Sequence, residues 1–318
     1  MAQVESLSDD QVRGIKSLAS RCQQHDGAEP FNEETLLSLT KIPGPHLVHF
    51  LIGSSDHTIG YAQLTLTDGE ANAEMAVDPR YRRQGHGRRL MEDLVSSATN
   101  NATVLRLWSH GDGESARRVA ESEGFRRSRV LFELGIDSQR IHWPRTWPEG
   151  AGDWPTGNGP RLSLPDGMRL RAFEPGNDES ELVRVNAAAF AAHPEQGQWT
   201  FEDVITREQE EWFDSEGVIL AEGPDGVVGF HFTKMIPEDG ETPVGEIYVL
   251  GIDPEVQGSG LGRILTWAGM GHMAARGAKT ITLFVDESNE PAVRLYRSQG
   301  FETVRTDVQY SRPLSLPA

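Results

Sequence analysis

A glycine-rich turn, Gln257-Gly258-Ser259-Gly260-Leu261-Gly262, separates an apolar strand-like run from an apolar helix-like run. Glycine lets a backbone approach a ligand closely and adopt unusual dihedrals. The helix that follows presents unpaired N–H groups and the positive end of its dipole. Those features suit a pyrophosphate. The spacing G-x-G-x-G is not the dinucleotide fingerprint G-x-G-x-x-G, and the phosphate loop G-x-x-x-x-G-K-[ST] is missing. A related turn, Arg82-x-x-Gly85-x-Gly87, occurs in the first half. No H-E-x-x-H or paired His–carboxylate cluster supports metal catalysis, so no metal is expected. The nucleophile elbow G-x-S-x-G is also missing, which argues against a serine hydrolase.

The elements that position these turns are duplicated. AVDPRYRRQGHGRRL (76–90) matches GIDPEVQGSGLGRIL (251–265) at an offset of 175, and Gly124-Phe125 matches Gly300-Phe301 at 176. Several landmarks at nearly one spacing indicate two copies of one domain. In the second copy, 168–173 alternates as a strand and 180–190 has helical spacing. Residues 218–223 and 227–234 read as a hairpin around Pro224-Asp225-Gly226, and 244–253 as a longer strand. Helix 261–277, strand 280–285 and helix 289–300 follow, with a final strand or two in 301–311. The order βααβββαβαβ implies an α/β (α+β) fold: in each copy, a mixed β-sheet flanked by helices. The expected boundaries are 1–140, a Pro/Gly/Trp-rich linker 141–167, and 168–318. Trp143, Trp147 and Trp154 of the linker are read as packing residues.

The 318 residues include 30 basic and 48 acidic side chains, a formal charge of −18. This repels polyanions and argues against nucleic acid. Residues 1–150 carry net −4 and residues 151–318 net −14, so the second copy suits a cationic or neutral substrate. The lone Cys22 excludes an internal disulfide. The polar N-terminus and the lack of a ~20-residue apolar run predict a soluble, cytoplasmic chain without a membrane anchor. A monomer is expected.

The motif Gln257-x-x-Gly260-x-Gly262, followed by Asn289-x-x-Ala292-x-x-x-Tyr296-x-x-x-Gly300-Phe301, resembles the GCN5-related N-acetyltransferase (GNAT) family. The resemblance spans both halves. It extends through 181–200, including the run HPEQGQW, through 229–234 and 245–254, to tandem members of that family. Those members use acetyl-CoA to acetylate the cysteinyl amine of 1D-myo-inositol 2-(L-cysteinylamino)-2-deoxy-alpha-D-glucopyranoside, completing a small protective thiol. The resemblance implies that two central strands splay to admit the acyl-pantetheine arm. It makes Glu246 the general base and Tyr296 the hydrogen-bond or proton donor to the departing sulfur. It assigns acetyl-CoA contacts to Leu250, Gly251 and Ile252; to Gln257, Gly258, Ser259, Gly260, Leu261, Gly262 and Arg263; and to Asn289, Glu290, Pro291, Ala292, Val293 and Arg294. For the acceptor it implies Glu33, Glu195, Lys234 and Glu246, with Glu33 reaching across from the first half. Phe284 stands where these relatives often carry a tyrosine that touches the acceptor.

At the repeat offsets, Glu246, Tyr296 and Asn289 fall on Ala71, Ala120 and Gly113. The first copy is therefore expected to bind acetyl-CoA through Met75, Ala76, Val77, Arg83, Gln84, Gly85, His86, Gly87 and Arg88 without catalysing. Two other readings remain open: transfer to another amine, such as an aminoglycoside or a protein N-terminus, and an acyl-CoA-binding module without turnover.

Overall fold

Period-2 and period-3.6 apolar patterns alternate along the chain, and each folds into the element that buries its apolar side. The computed structural model describes residues 2–40, 46–54, 57–67, 69–99, 101–148, 155–191, 196–237 and 242–314. The first half forms β1 (Ala2–Val4), α1 (Asp9–Asp26), α2 (Glu33–Ser38), β2 (Leu47–Ser54), β3 (His57–Thr67), β4 (Glu70–Val77), α3 (His86–Thr99), β5 (Val104–Ser109), α4 (Glu114–Ser122) and β6 (Arg126–Asp137). The second forms β7 (Arg169–Ala172), α5 (Glu179–Ala189), α6 (Phe201–Glu208), β8 (Val218–Gly223), β9 (Gly226–Ile236), β10 (Val244–Ile252), α7 (Leu261–Ala275), β11 (Thr280–Asp286), α8 (Glu290–Ser298) and β12 (Glu302–Pro313). Helix α1 starts at a Ser8/Gln11 capping box and buries Ile15, Leu18 and Cys22 at helical spacing.

Two units result. One comprises Met1–Phe132, Asp286–Ser288 and Arg305–Ala318; the other comprises Glu133–Val285 and Asn289–Val304. These limits differ from breaks at 140 and 167 for a physical reason. Residues 308–313 of β12 hydrogen-bond antiparallel to β5, so the C-terminal segment belongs with the first unit. The Pro/Gly/Trp-rich segment joins the second unit. There Trp143 meets Trp267 at 6.1 Å, and Trp147 packs against the α7 cluster and donates to Pro155 O at 3.0 Å. Trp154 lies outside the described residues.

Within the first unit the strands run β1-β2-β3-β4-β5. Helix α3 covers one face of this sheet, through a core with Leu64, Leu90, Leu94 and Leu105. On the other, α1 packs against Leu51, Tyr61 and Ala76. The second unit runs β7-β8-β9-β10-β11. Helix α7 lies on one face and α5 and α6 on the other. In each unit one neighbouring pair is parallel, and its ladder is short. Strands β4 and β5 pair only from Glu70↔Val104 to Ala73↔Leu107, and β10 and β11 only from Val244↔Thr280 to Glu246↔Thr282. All four strands continue past these points, so each pair parts into a gap.

In the first unit a buried charged group spans that gap. His110, just after β5, contacts Glu74 of β4 at 2.8 Å through Nε2 and Asp307 of β12 at 3.0 Å through Nδ1. Glu74 also accepts the Asn32 N–H at 3.0 Å, and Asp307 accepts that of Gly111 at 2.9 Å. Burial disfavours the imidazolium, but the hydrogen bonds and charges of Asp307 and Glu74 outweigh it and lift the His110 pKa to about 9. A folded-state value above the unfolded ~6.5 adds stability that is complete below that pH and is lost as pH rises through about 9. At about 1.4 kcal/mol per pKa unit, the complete contribution is roughly 3–4 kcal/mol. The melting-temperature gap between wild type and His110→Gln should therefore shrink between pH 7 and 10; a pH-independent gap would contradict the charged state of His110.

Candidate functional site

Glu246 occupies the last position at which β10 pairs on both sides, with Lys234 of β9 and Thr282 of β11. One residue later the strand changes character. Ile247 pairs with Thr233 but Val249 with Phe232, so Tyr248 is an extra residue in a β-bulge. The bulge turns the strand over. Tyr248 and Val249 both lie in the cluster beneath α5 and α6, whereas Leu250 and Ile252 pack against α7. Strictly alternating side chains could not achieve this. Leu250 and Ile252 are thus core residues, and Gly251 sits between them opposite Phe230. Any ligand contact from this trio comes from the backbone.

The glycine turn follows directly. Asp253 caps a 3-10 turn, Pro254–Val256, by accepting the Glu255 N–H at 3.0 Å. Asp78 does the same for Arg80 in the first unit, also at 3.0 Å. This shared cap explains the repeated Asp-Pro pair. Gln257, Gly258, Ser259 and Gly260 are exposed, and Gly258 and Gly260 have φ of +80° and +88°. Gly260 is the N-cap of α7, in the left-handed conformation that other residues resist. Leu261 N–H is held by Ser259 Oγ at 3.4 Å, while Leu261 itself is buried. Gly262 faces Leu295 of α8, and Gln299 donates to Arg263 O at 3.0 Å, so α8 is fastened beside the turn.

Helix α8 carries Tyr296, which is buried and edge-on to Phe301 at 5.8 Å. Burial pushes its phenol pKa well above the ordinary value, so the hydroxyl stays protonated at neutral pH. Asn289 caps α8 by accepting the Ala292 N–H at 3.3 Å, and Pro291 lies in the first turn. Glu290 and Arg294 pair at 2.9 Å on the exposed face, and Val293 is half-buried. The structure thus gives Asn289, Glu290 and Arg294 local roles in the helix.

The expected acceptor residues are only partly described. Lys234 and Glu246 are cross-strand neighbours. Phe284 lies two residues beyond Thr282 on the same side of β11 and is 46% exposed, unusual for a phenylalanine. Glu33 opens α2, but its side chain lies outside the described residues, as does all of Glu195. The sequence reading missed a group beside Lys234. Tyr248, Trp199, Trp212 and Phe232 form an aromatic cluster in which Arg207 lies 4.0 Å over Trp199 and donates to the Tyr248 hydroxyl at 3.2 Å. Strand alternation alone could have flagged Tyr248, two residues after Glu246.

The first unit corrects the repeat arithmetic. Asn72 pairs with Thr65 and Arg106, as Glu246 pairs with Lys234 and Thr282. The β3–β4 register runs unbroken to Gly60↔Val77. The bulge adds one residue to β10, so the counterpart of Glu246 is the exposed Asn72 at offset 174, not the buried Ala71 at 175. Met75 and Val77 face the α3 core and Ala76 the opposite face. In the turn, Arg83 has φ +60° and Gly85 +85°. Arg83 and Gln84 are exposed, and His86 and Gly87 begin α3. Arg82 is paired with Asp26 at 2.5 Å, and Arg88 lies 3.5 Å from Glu123.

Residues 185–301 match the acetyltransferase (GNAT) family model, and residues 45–127 match an acetyltransferase (GNAT) domain model. Similar full-length proteins include the mycothiol acetyltransferases of Thermomonospora curvata and Thermobifida fusca. Each is 42% identical, over 97% of this chain and 96% of the relative. A GCN5-related N-acetyltransferase from Sphaerobacter thermophilus superposes with a TM-score of 0.71 at 25% identity, covering 99% of this chain and 98% of that one. A tandem GNAT protein from the clavulanic acid biosynthesis pathway also gives 0.71, at 17% identity, covering 100% and 99%.

The left-handed N-cap yields a prediction. Gly260→Ala should cost about 1 kcal/mol and weaken coenzyme A binding about fivefold, measured by calorimetry. Unchanged affinity would show that the turn does not hold the coenzyme.

Proposed function

The chain belongs to the GNAT acetyltransferases and, within them, to the mycothiol acetyltransferase family; from that premise we propose that its second copy carries the chemistry at Glu246 and Tyr296. The reaction is acetyl transfer from acetyl-CoA to the cysteinyl amine of 1D-myo-inositol 2-(L-cysteinylamino)-2-deoxy-alpha-D-glucopyranoside. The observation that carries the assignment of the base is the position of Glu246 at the mouth of the gap between β10 and β11.

The acceptor arrives as an ammonium ion. Glu246, directly or through water, takes one proton and frees the nitrogen lone pair. The amine attacks the thioester carbonyl carbon, and negative charge moves to its oxygen. Within Leu250–Ile252, beyond the bulge, the backbone N–H groups on the edge that faces the gap polarise that oxygen. The oxyanion re-forms the carbonyl as the C–S bond breaks, the Tyr296 hydroxyl hydrogen-bonds or protonates the departing sulfur, and the nitrogen gives up its second proton, which balances the proton taken by the sulfur and leaves a neutral amide. Residues 257–263 hold the pyrophosphate, and the first turn of α8 flanks the coenzyme. Lys234, Glu246 and Glu195 contact the acceptor. Phe284 adds an apolar surface there but no hydroxyl contact.

The first copy, 1–140, holds acetyl-CoA along Met75–Val77 and Arg83–Arg88 without transferring the acyl group. Two observations favour this reading: Asn72 stands where the base would be, and β4 has no bulge.

Glu246→Gln should lower kcat by roughly 10²–10⁴ with little change in acetyl-CoA binding. Tyr296→Phe should lower it by roughly tenfold or more, and the double variant should be inactive. Thiol release from acetyl-CoA, assayed with the cysteinyl conjugate, an aminoglycoside and a peptide N-terminus, measures both rate and acceptor choice. Near-wild-type turnover in the double variant would remove the chemistry from the second copy.

A further inference from the structure

Lys234 is held in an unusual way. Its ammonium lies 4.9 Å from the centre of the Trp212 ring and 5.6 Å from that of Tyr248, within cation–π range of both. Among the described residues it makes no ion pair. Both rings are themselves fixed. Trp212 and Tyr248 lie 5.2 Å apart, both pack against Phe232, and Tyr248 accepts a hydrogen bond from Arg207. Tyr248 is also the bulge residue, so the insertion that turns β10 over supplies one wall of the seat.

A ring face attracts a cation without consuming its N–H donors. An ion pair would hold the same ammonium but would also neutralise it and occupy those donors. We propose that Trp212 and Tyr248 are positioning residues that seat the Lys234 ammonium beside Glu246 with its donors turned to the acceptor. Two consequences follow for binding. A hydroxyl-rich acceptor receives hydrogen bonds from a pre-placed cation, with little ordering of a long side chain on binding. A fixed positive charge near the acceptor ammonium also favours its deprotonated, nucleophilic form.

The inference rests on the acceptor role given to Lys234 above, and its test separates the two. The chain contains four lysines, so ¹³Cε-lysine labelling gives four signals, and Lys234→Met identifies one of them. In the full-length protein the Lys234 εCH₂ protons should be shifted upfield by the rings, and Trp212→Leu should release the shift. Kinetically, Lys234→Met should raise the acceptor KM about tenfold and Trp212→Leu at least threefold, with acetyl-CoA KM unchanged. In the Lys234→Met background, Trp212→Leu should add less than twofold, because the tryptophan acts through the lysine. Tyr248→Phe, which keeps the ring, should retain the shift, and Tyr248→Leu should reduce it. An unshifted Lys234 signal, or fully multiplicative KM effects, overturns the proposal. If the signal shifts as expected but the wild type does not acetylate the cysteinyl conjugate, the acceptor assignment fails and the seat stands.

Discussion

The site depends on hydrogen bonds that the sheet gives up. Parallel strands are normally buried and fully paired, because an unpaired interior N–H or C=O is costly. Here β10 and β11 pair for three residues and then part, although each remains a strand along its other edge. Backbone groups facing the gap need a partner, and an extended amide-containing arm has donors and acceptors of the matching kind. The same parting explains why Glu246 lies at the mouth of the gap. It holds the last rung of the ladder, and beyond it the edge of β10 that had faced β11 looks onto a space, while the other edge stays paired with β9.

The bulge at Tyr248 completes the arrangement. One extra residue lets a single strand serve two cores: the aromatic cluster under α5 and α6 before the turn-over, and the α7 core after it. Without it, Leu250 and Ile252 would lie on the same face as Glu246. The two copies differ most sharply here. Strand β4 keeps one register throughout, so Met75 and Val77 continue the face of Ala71 and Ala73. Just past the last β4–β5 rung, the first unit places Glu74 in a buried ionic bridge with His110 and Asp307. Such a bridge needs both carboxylates and the imidazolium to stay together, since removing one strands the others without compensation. The second unit has an aromatic cluster and two cations at the corresponding stretch of its strand.

The glycine turn is present in both copies because its requirements are local. An aspartate caps the 3-10 turn, glycines take the left-handed positions, and the helix start follows. The charges around it diverged: five arginines fall between Arg80 and Arg89, but only Arg263 in the matching second segment. Chemistry that uses backbone and dipole tolerates such drift, whereas chemistry that uses a side chain at one register position does not.

That distinction also marks what could be read from the sequence. The duplication with its repeated Asp-Pro pair, the glycine turns and the strand–helix order of the second copy were legible, because each is set by contiguous residues and their local dihedral or periodic preferences. Three features were not. The offset of 175 pointed to Ala71, since a bulge leaves no mark in an apolar strand and only pairing with β9 and β11 reveals the extra residue. The last strand was assigned to the second copy, but it pairs with β5, because strand partners are chosen over long separations by edge availability. The seat of Lys234 joins residues from α6, the segment after it, β9 and β10, with no spacing pattern between them. Sequence alone determined the local chemistry each segment could perform; only tertiary packing decided which side chains share a face, because face and partner depend on register across strands.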